Sequence, residues 1–382
     1  MDFTLSDTQQ MLQDTAVRLV RERYGFEDRK KILASPDGFS RRMWATYAEL
    51  GLLGIEMEEE HGGIGGTFQD LAIVLEAFGA GLVVEPFIPT VVLGAGLVRA
   101  AGTDAQKADI LPRVAEGAHF LAFAHGEPRS RYTLTAVSTT ARADGDGFVL
   151  DGHKAVVLGG DCADTFIVSA RTAGGPRDRD GLSLFLVPRD AAGLTVRGYP
   201  TVDGTRAAEV VLAGVRVPRS ALLGPEGGAL PFVEQALDRG CAALCAEAIG
   251  VMQALNALTL DYLKTRTQFG VPIGSFQVLQ HRMVDMVIAQ EQAKSMAILA
   301  ADRADSADAQ ERARAVSAAK VQIGRSGRHV GQEAIQLHGG IGITDEYAAG
   351  HYFKRLTAID RTFGDADFHL SRFAATVSGT GR

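Results

Sequence analysis

The spacing of apolar residues divides the chain into three segments. Over residues 1–119, apolar positions recur at helical spacing among charged ones, as around Met11 and Leu19, which is typical of amphipathic helices. From about 120 to 225 the period shortens to two residues, and Gly, Asp and Pro turns separate the apolar runs. From 226 to 382 the pattern is helical again, and long helices joined by short loops indicate an antiparallel bundle.

The individual elements follow from the same pattern. The predicted strands are 147–152, 155–158, 165–170, 182–188, 194–199 and 208–212. The predicted helices of the last segment are roughly 229–268, 275–304, 310–337 and 345–377, and Thr103 is the expected cap of an earlier helix. The predicted fold is α+β, with an N-terminal helical domain (1–119), a middle antiparallel β-barrel domain (120–225) and a C-terminal four-helix bundle (226–382).

Composition narrows the class of protein. The 382 residues have a hydrophobic content of 46% and a charged content of 22%, as in ordinary globular proteins. The net charge of −7 disfavours a nucleic-acid-binding surface, and no DNA-recognition motif is visible. The three cysteines, Cys162, Cys241 and Cys245, show neither zinc spacing nor a disulfide framework. We therefore expect no metal site and a reducing cytoplasm.

The sequence also predicts neither a signal peptide nor a membrane span. The first seven residues lack a basic region and an apolar region of the kind that targets secretion. No uninterrupted apolar run reaches the ~18 residues that a spanning helix needs. The nearest candidate, 78–98, is interrupted by Glu85, Pro86 and Pro89.

The most informative stretch is a helical hairpin at 262–286. Gly270, Pro272 and Gly274 end one helix, and Ser275 is the expected amino-terminal cap of the next. The turn brings together one cation, two amides and two aromatic rings, from Arg266, Gln268, Phe269, Phe276 and Gln277. A cation and amides beside a helix start suit a pyrophosphate, although a hairpin with a solvated arginine explains the same residues.

A second anomaly is Glu247, the only charged residue between Gly240 and Leu260. A carboxylate on such an apolar helix lies on a wet stripe, pairs with a cation or lines a cavity. Burial would raise its pKa, which suits a general base that works near neutral pH.

A family resemblance connects these observations. The acyl-CoA dehydrogenase family has a hallmark sequence that resembles Arg266-Thr-Gln-Phe-Gly-Val-Pro-Ile-Gly-Ser-Phe-Gln277 without a gap. In that family the arginine binds the FAD pyrophosphate of a neighbouring subunit, and the order helical, β, helical is the same. Gln336-Leu-His-Gly-Gly340 resembles the family's contact to the adenine side of FAD, so Gln336, Gly339 and Gly340 are implied cofactor residues. By itself this segment would be a glycine cap at a helix end.

The resemblance also exposes a missing base. Most of the family carries a glutamate where this chain has Phe363, and another branch carries it at the position of Gly240. Glu247 lies seven residues beyond Gly240, about two helical turns and on nearly the same face, so Glu247 is the predicted base. Asp365 and Asp367 are second choices, and Asp365 is also expected to cap a helix or contact the flavin.

Other ligand positions depart from the family pattern. Asp238 and Arg239 lie near the family's CoA-binding position, where a solvated ion pair is the alternative interpretation. In the β-domain, relatives hold the flavin ring with a Thr-Glu-Pro segment and a Trp-Ile-Thr strand. This chain has 124–128 (Ala-His-Gly-Glu-Pro) and 156–158 (Val-Val-Leu) instead. His125 could face the flavin, but an ordinary loop histidine is the more common explanation.

The resemblance implies α,β-desaturation of an acyl-CoA, with FAD as the hydride acceptor and electron-transfer flavoprotein as the electron acceptor. Residues 171–174, 199–209 and 351–356 are similar to the small subunit of pimeloyl-CoA dehydrogenase and other heteromeric members, so a homo- or heterotetramer is expected. The main alternative is a catalytically silent partner subunit that completes a shared flavin site. An acyl-CoA oxidase is a third hypothesis.

Overall fold

The computed structural model describes residues 5–377 and confirms the α+β fold with its predicted order of helices, strands and helices. The helices are α1 (Asp7–Arg23), α2 (Phe26–Leu33), α3 (Arg41–Glu49), α4 (Phe68–Gly81), α5 (Gly96–Ala101), α6 (Asp104–Ala115), α7 (Leu230–Thr265), α8 (Gln277–Arg303), α9 (Ala309–His338), α10 (Ala348–Arg361) and α11 (Ala366–Val377). Thr103 caps α6 in a capping box with Gln106, as predicted. Residues 1–4, which belong to the N-terminal stretch in which no signal peptide is predicted, lie outside the described residues.

The middle segment forms an eight-stranded sheet. Its strands are β1 (Leu121–Ala124), β2 (Thr140–Asp144), β3 (Gly147–Leu158), β4 (Thr165–Arg171), β5 (Leu182–Pro188), β6 (Leu194–Pro200), β7 (Arg206–Pro218) and β8 (Leu222–Leu223). The order is β6-β7-β3-β2-β4-β5-β8, with β1 on β4. Alternate residues such as Phe148 and Leu150 point into its core, where Phe148 and Phe185 meet edge to face at 5.0 Å.

Three details of the sheet differ from prediction. β1 and β2 were not predicted, because β1 is buried on both faces and does not alternate, while the only apolar residues of β2 are two alanines, of which one is buried. β1 pairs with β4 in parallel, so the sheet is not purely antiparallel. The predicted strands 147–152 and 155–158 are one strand, β3, with a bulge between Lys154 and Val157.

The described residues form two compact units. One contains the described parts of Met1–Lys31 and Cys241–Arg382 together with Phe68–Val83, and the other contains Ile32–Thr67 and Val84–Gly240. Helices α1 and α4 therefore belong to the same unit as the C-terminal bundle. The domain boundaries near 119 and 225 stay predictions.

Within the first unit, α4 and α7 approach until their backbones touch. A Cβ atom at Gly79 would overlap the carbonyl oxygen of Glu247, and one at Gly250 would overlap the carbonyl oxygen of Glu76. Helix α7 is the one described helix long and apolar enough to cross a membrane, but 78% of its most apolar window is buried in the protein. Its apolar residues therefore pack in the interior of the protein.

The C-terminal end of the chain corrects one helix prediction. The expected helix 345–377 is two helices, α10 and α11, because Phe363 and Gly364 have φ values of 61° and 120° between them. A right-handed helix cannot continue through such residues.

The backbone contact between α4 and α7 generates a stability prediction. Gly250→Ala should lower the free energy of unfolding by about 1–3 kcal/mol or more, since the added methyl has no space. Gly96→Ala is the matched control, because Gly96 is helical and the nearest neighbouring atom would lie 3.8 Å from the new Cβ. This control should be neutral or gain about 0.5–1 kcal/mol from helix propensity. Urea unfolding of both variants measures the difference, and equal unfolding midpoints would contradict the close contact.

Candidate functional site

The 266–277 hairpin has a compact backbone. The Arg266 amide donates to the Tyr262 carbonyl at 2.8 Å, and the Ile273 amide donates to the Arg266 carbonyl at 2.8 Å. Strands β9 (Thr267–Gln268) and β10 (Val271–Pro272) pair antiparallel through the left-handed residues Phe269 and Gly270. The turn thereby places its side chains at the end of α7.

Ser275 does not cap α8, which corrects that prediction. Its hydroxyl donates backwards to the Pro272 carbonyl at 2.7 Å, within a 3₁₀ turn. The N-cap residue is Phe276, which makes no side-chain capping bond. The first amides of α8 are therefore not covered by a capping side chain.

The hairpin presents its predicted ligand side chains outward. Phe269 is 91% exposed and meets Phe276 edge to face at 6.1 Å. Arg266, Gln268 and Gln277 are also exposed, and no carboxylate among residues 5–377 forms a salt bridge with Arg266. A cation and an aromatic ring in this position are available to a ligand or to another chain.

The second predicted motif lies beside the hairpin. Helix α9 ends at His338, and Gly339 follows with φ 64°. The His338 ring packs against Tyr262 at 4.7 Å, one helical turn before Arg266. A Cβ at Gly339 or Gly340 would meet no atom within 4 Å, so both glycines face open space. The Tyr262–His338 contact joins the end of α7 to the end of α9, and Arg266, Gln336, Gly339 and Gly340 are all exposed.

Glu247 is buried and paired. Its two carboxylate oxygens accept hydrogen bonds from Nε and Nη2 of Arg355 on α10, each at 2.6 Å. The exposed fractions of the two side chains are 6% and 13%. Both oxygens face a permanent cation in a bidentate pair, which is the geometry of a structural ion pair. The predicted catalytic role of Glu247 would require release from Arg355.

The two other base positions implied by the family resemblance, Gly240 and Phe363, hold no carboxylate. The Cys241 sulfur, next to Gly240, lies 3.9 Å from the Phe363 carbonyl oxygen and 3.8 Å from His369 Nε2. His369 Nε2 lies 3.2 Å from the same carbonyl, and its Nδ1 lies 3.3 Å from the Ser317 hydroxyl. Burial, and then the charge of Lys320, lowers the pKa of His369 to about 3, so its ring is neutral and donates to the carbonyl.

The carboxylates that follow Phe363 have structural partners. Asp365 accepts from the Phe368 amide and from Arg361, each at 3.0 Å, and this supports the predicted capping role at α11. A contact between Asp365 and flavin stays a prediction. Asp367 is exposed in the first turn of α11.

Asp238 and Arg239 are buried, which overturns the interpretation as a solvated pair. Arg239 Nη2 lies 2.5 and 2.6 Å from the two oxygens of Glu56, and the side chains of this pair are 8% and 6% exposed. An arginine held in this way is not open to an anionic CoA group. The geometry therefore does not support Arg239 as a contact for CoA.

In the β-domain, His125 belongs to a buried polar cluster. Its Nδ1 lies 2.9 Å from the Ser169 hydroxyl, and its ring stacks on Phe123 at 5.4 Å. Burial, and then the charge of Lys154, lowers its pKa to about 3. This supports the interpretation as an ordinary loop histidine.

Sequence reasoning missed the partner cations, Arg355 and Lys154. Arg355 lies 108 residues from Glu247, and no local pattern links them. Lys154 is fully buried and forms a 2.8 Å ion pair with Glu127, and the apolar period of β3 was the available signal that it faces inward.

Comparisons with known proteins agree with this geometry. Family models for the N-terminal, middle and C-terminal domains of acyl-CoA dehydrogenase match residues 6–118, 122–215 and 228–377. The chain is 32% identical over 353 residues to the probable acyl-CoA dehydrogenase YngJ of Bacillus subtilis, and the match covers 91% of this chain and 92% of the relative.

Solved structures show the same fold over the whole length. The structure of a variant of the Tcur3481-Tcur3483 steroid ACAD is 31% identical with a TM-score of 0.88, and the match covers 99% of each chain. The ChsE4-ChsE5 complex from Mycobacterium tuberculosis is 25% identical with a TM-score of 0.89, again over 99% of each chain.

The buried pair on α7 generates a prediction about stability. Arg355→Met should cost about 3–5 kcal/mol, because it leaves the Glu247 carboxylate buried without its cation. Adding Glu247→Gln should recover part of this loss, since neither charge then remains. Urea unfolding of both single variants and the double variant gives the coupling energy, and strictly additive losses would contradict a direct pair.

The β-domain pair generates a prediction about acid stability. Burial raises the pKa of Glu127, but the charge of Lys154 and three hydrogen bonds outweigh burial and hold it at about 2. Because the folded pKa lies below the ordinary 4.5, this stabilisation is complete above pH 4.5 and is lost as the pH falls through 2. Between pH 5 and 3 the wild type should lose about 1–3 kcal/mol more than Glu127→Gln in urea unfolding. Parallel pH profiles would contradict this contribution of Glu127.

Proposed function

Because this chain belongs to the acyl-CoA dehydrogenase family and is a flavin-dependent oxidoreductase, we propose that it is one subunit of an FAD-dependent enzyme that desaturates an acyl-CoA between its α and β carbons. Its specific contribution is to complete a flavin site that it shares with a homologous subunit. The α-proton is removed by a carboxylate of that subunit. The observation behind this division is that Phe363 occupies the usual base position while Arg355 holds Glu247.

The hairpin and the glycine loop suit an FAD molecule. Arg266 supplies an exposed cation for a pyrophosphate, and Gln268 and Gln277 supply amides beside it. Gly339 and Gly340 leave their backbone open to close approach of an adenosine. Phe269 and Phe276 offer aromatic faces and edges. When bound, FAD supplies a two-electron acceptor for the β-hydride.

The outward direction of these side chains favours a site that is shared between subunits. Phe269 and Phe276 pack edge to face on the outside of the hairpin, and a neighbouring chain would cover this pair of exposed rings. The titles of two similar structures name complexes of two proteins, Tcur3481-Tcur3483 and ChsE4-ChsE5. A heterotetramer with a homologous subunit, in the branch of pimeloyl-CoA dehydrogenase, is accordingly the proposed assembly.

The chemistry requires a free base, which neither Phe363 nor Glu247 in its pair with Arg355 provides. The α-proton of a thioester is weakly acidic, so a base must be free to accept it while hydrogen bonds stabilise the carbonyl oxygen. His369 is neutral and has a pKa near 3, which makes it too weak a base. The second candidate mechanism keeps Glu247 as the base. Its isolation among apolar residues on α7 favours that mechanism, and its pair with Arg355 opposes it.

Electron-transfer flavoprotein is the proposed acceptor of the electrons, as the family resemblance implies. The cytoplasm is the proposed location, because the cysteines show neither zinc spacing nor a disulfide framework. Dehydrogenase is preferred to oxidase. Screening acyl-CoA thioesters of increasing size, with and without the homologous subunit, tests the substrate.

The decisive test replaces Glu247 in the assembled enzyme. Glu247→Gln should leave substrate-dependent flavin bleaching within about twofold of wild type, because the base lies elsewhere. Loss of a true general base lowers the rate by roughly 10²–10⁴. Stopped-flow absorbance measures bleaching, and circular dichroism checks the fold. A loss of that size with an intact fold would establish Glu247 as the base and refute the shared-site proposal.

Arg266 provides the companion test. Arg266→Ala in this chain should lower the FAD content of the assembled enzyme by about tenfold or more, since it removes the cation from the pyrophosphate. Arg303→Ala is a control at another helix end, where the arginine pairs with Asp302 and Glu311. Unchanged FAD content in Arg266→Ala would contradict the role of the hairpin.

A further inference from the structure

Lys154 has three hydrogen-bond acceptors in the interior of the β-domain. Its side chain has no exposed surface, and Nζ lies 2.8 Å from Glu127 Oε1, 3.2 Å from the Ser169 hydroxyl and 3.3 Å from the His125 carbonyl oxygen. An ammonium group has three donors, so all of them are used. Burial lowers the pKa of Lys154 to about 8 against the opposing effect of Glu127, so the amine is charged at neutral pH.

Glu127 connects the Lys154 amine to residues 138 and 139, which precede β2. Its carboxylate accepts from the Ser138 amide at 2.7 Å, the Thr139 amide at 2.9 Å and the Thr139 hydroxyl at 2.7 Å. The Ala155 amide donates to the Gly126 carbonyl at 2.8 Å, one residue beyond Lys154. The loop 125–128 is therefore joined to β3 by one backbone bond and by two bonds from the buried Lys154 amine, to the His125 carbonyl and the Glu127 carboxylate.

The segment that these bonds hold is strained. Val156 follows Ala155 in the bulge of β3 and has φ 53°, which is unfavourable for a β-branched residue. Its side chain is 59% exposed although it is apolar. Such a conformation persists where the surrounding structure determines it, and bulges of this kind re-aim side chains beside ligand sites.

We propose that Lys154 and Glu127 are positioning residues that hold the loop 125–128 and the bulge 154–157 as one rigid surface against which the flavin ring rests. This inference depends on the proposed function for the identity of the ligand. Val156 supplies the apolar face, and backbone groups of the loop supply the polar contacts. The surface replaces the hydroxyl and indole side chains that the sequence lacks at these positions. An apolar pair of equal volume would fill the space but could not bind three separate segments at once.

The test uses the assembled enzyme with this chain carrying Lys154→Met, Glu127→Gln or both. The control is Arg142→Gln, which removes an exposed cation paired with Asp151 on the same sheet at 3.1 Å. Hydrogen exchange of the Ser138, Thr139 and Ala155 amides measures directly how firmly the loop 125–128 is held to residues 138–139 and to β3, with or without flavin. FAD dissociation constants from flavin fluorescence and melting temperatures complete the measurements.

The expected result separates positioning from stability. Both single variants should melt earlier, and the double variant should recover most of the melting temperature because no charge is left unpaired. Exchange of the three amides should remain at least tenfold faster in the double variant, and its FAD dissociation constant at least tenfold weaker. The control should match wild type in all three.

Three results would overturn the proposal, and a fourth would refute the proposed function instead. If exchange and FAD affinity return to wild-type values together with the melting temperature, the pair is only structural. If exchange rises but FAD affinity is unchanged, the surface does not face the flavin. If the wild-type assembly binds no FAD, the proposed function fails, and unchanged amide exchange in the variants would separately show that the pair does not hold the loop.

Discussion

The ion pair between Glu247 and Arg355 joins the middle of α7 to α10, with each carboxylate oxygen 2.6 Å from a guanidinium nitrogen. A carboxylate removed from water is costly unless an opposite charge and hydrogen bonds replace the lost solvation. Here one guanidinium supplies both. Helix α4 contacts the backbone of α7 at the same residue, because a Cβ at Gly79 would overlap the Glu247 carbonyl oxygen. Glu247 is therefore fixed at two points, through its carboxylate by Arg355 and through its backbone by α4.

The same arrangement recurs in the other compact unit. Arg239 is held by Glu56, and Lys154 is held by Glu127, and all four side chains are largely buried. In each case a buried cation contacts an acid that is not its neighbour in the sequence. An isolated acid on an apolar helix is therefore better explained, in this protein, by a structural partner than by catalysis. The isolated position of Glu247 on α7 is therefore weaker evidence for a catalytic base than the sequence alone suggested.

Features that depend on residues close together in the sequence could be predicted, and features that depend on distant residues could not. The hairpin was predictable because Gly270, Pro272 and Gly274 determine its backbone locally, and its side chains point outward without long-range partners among the described residues. The cap at Thr103 was local too. The Ser275 cap failed because the competing acceptor, the Pro272 carbonyl, lies only three residues away and geometry alone decides between them.

Interactions between distant residues could not be predicted in this way. Arg355 lies 108 residues from Glu247, and Glu56 lies 183 residues from Arg239. Neither spacing has a periodic signature, so the sequence left the acid on α7 without a visible partner. The break between α10 and α11 was hidden for another reason, since only Gly364 among its residues favours positive φ and Phe363 does not. The turn exists because His369 binds the Phe363 carbonyl and Gly364 leaves room for that ring.

That turn explains how the chain can lack a base at position 363 and keep its fold. The bond from His369 goes to a backbone carbonyl, so it is independent of the side chain at 363. A Cβ at Gly364 would overlap Phe368 and His369, so the glycine is the residue that the geometry requires. The hairpin at 266–277 likewise depends on its own glycines and proline rather than on a carboxylate elsewhere. Phenylalanine at position 363 is therefore compatible with both turns, because neither backbone depends on a carboxylate there.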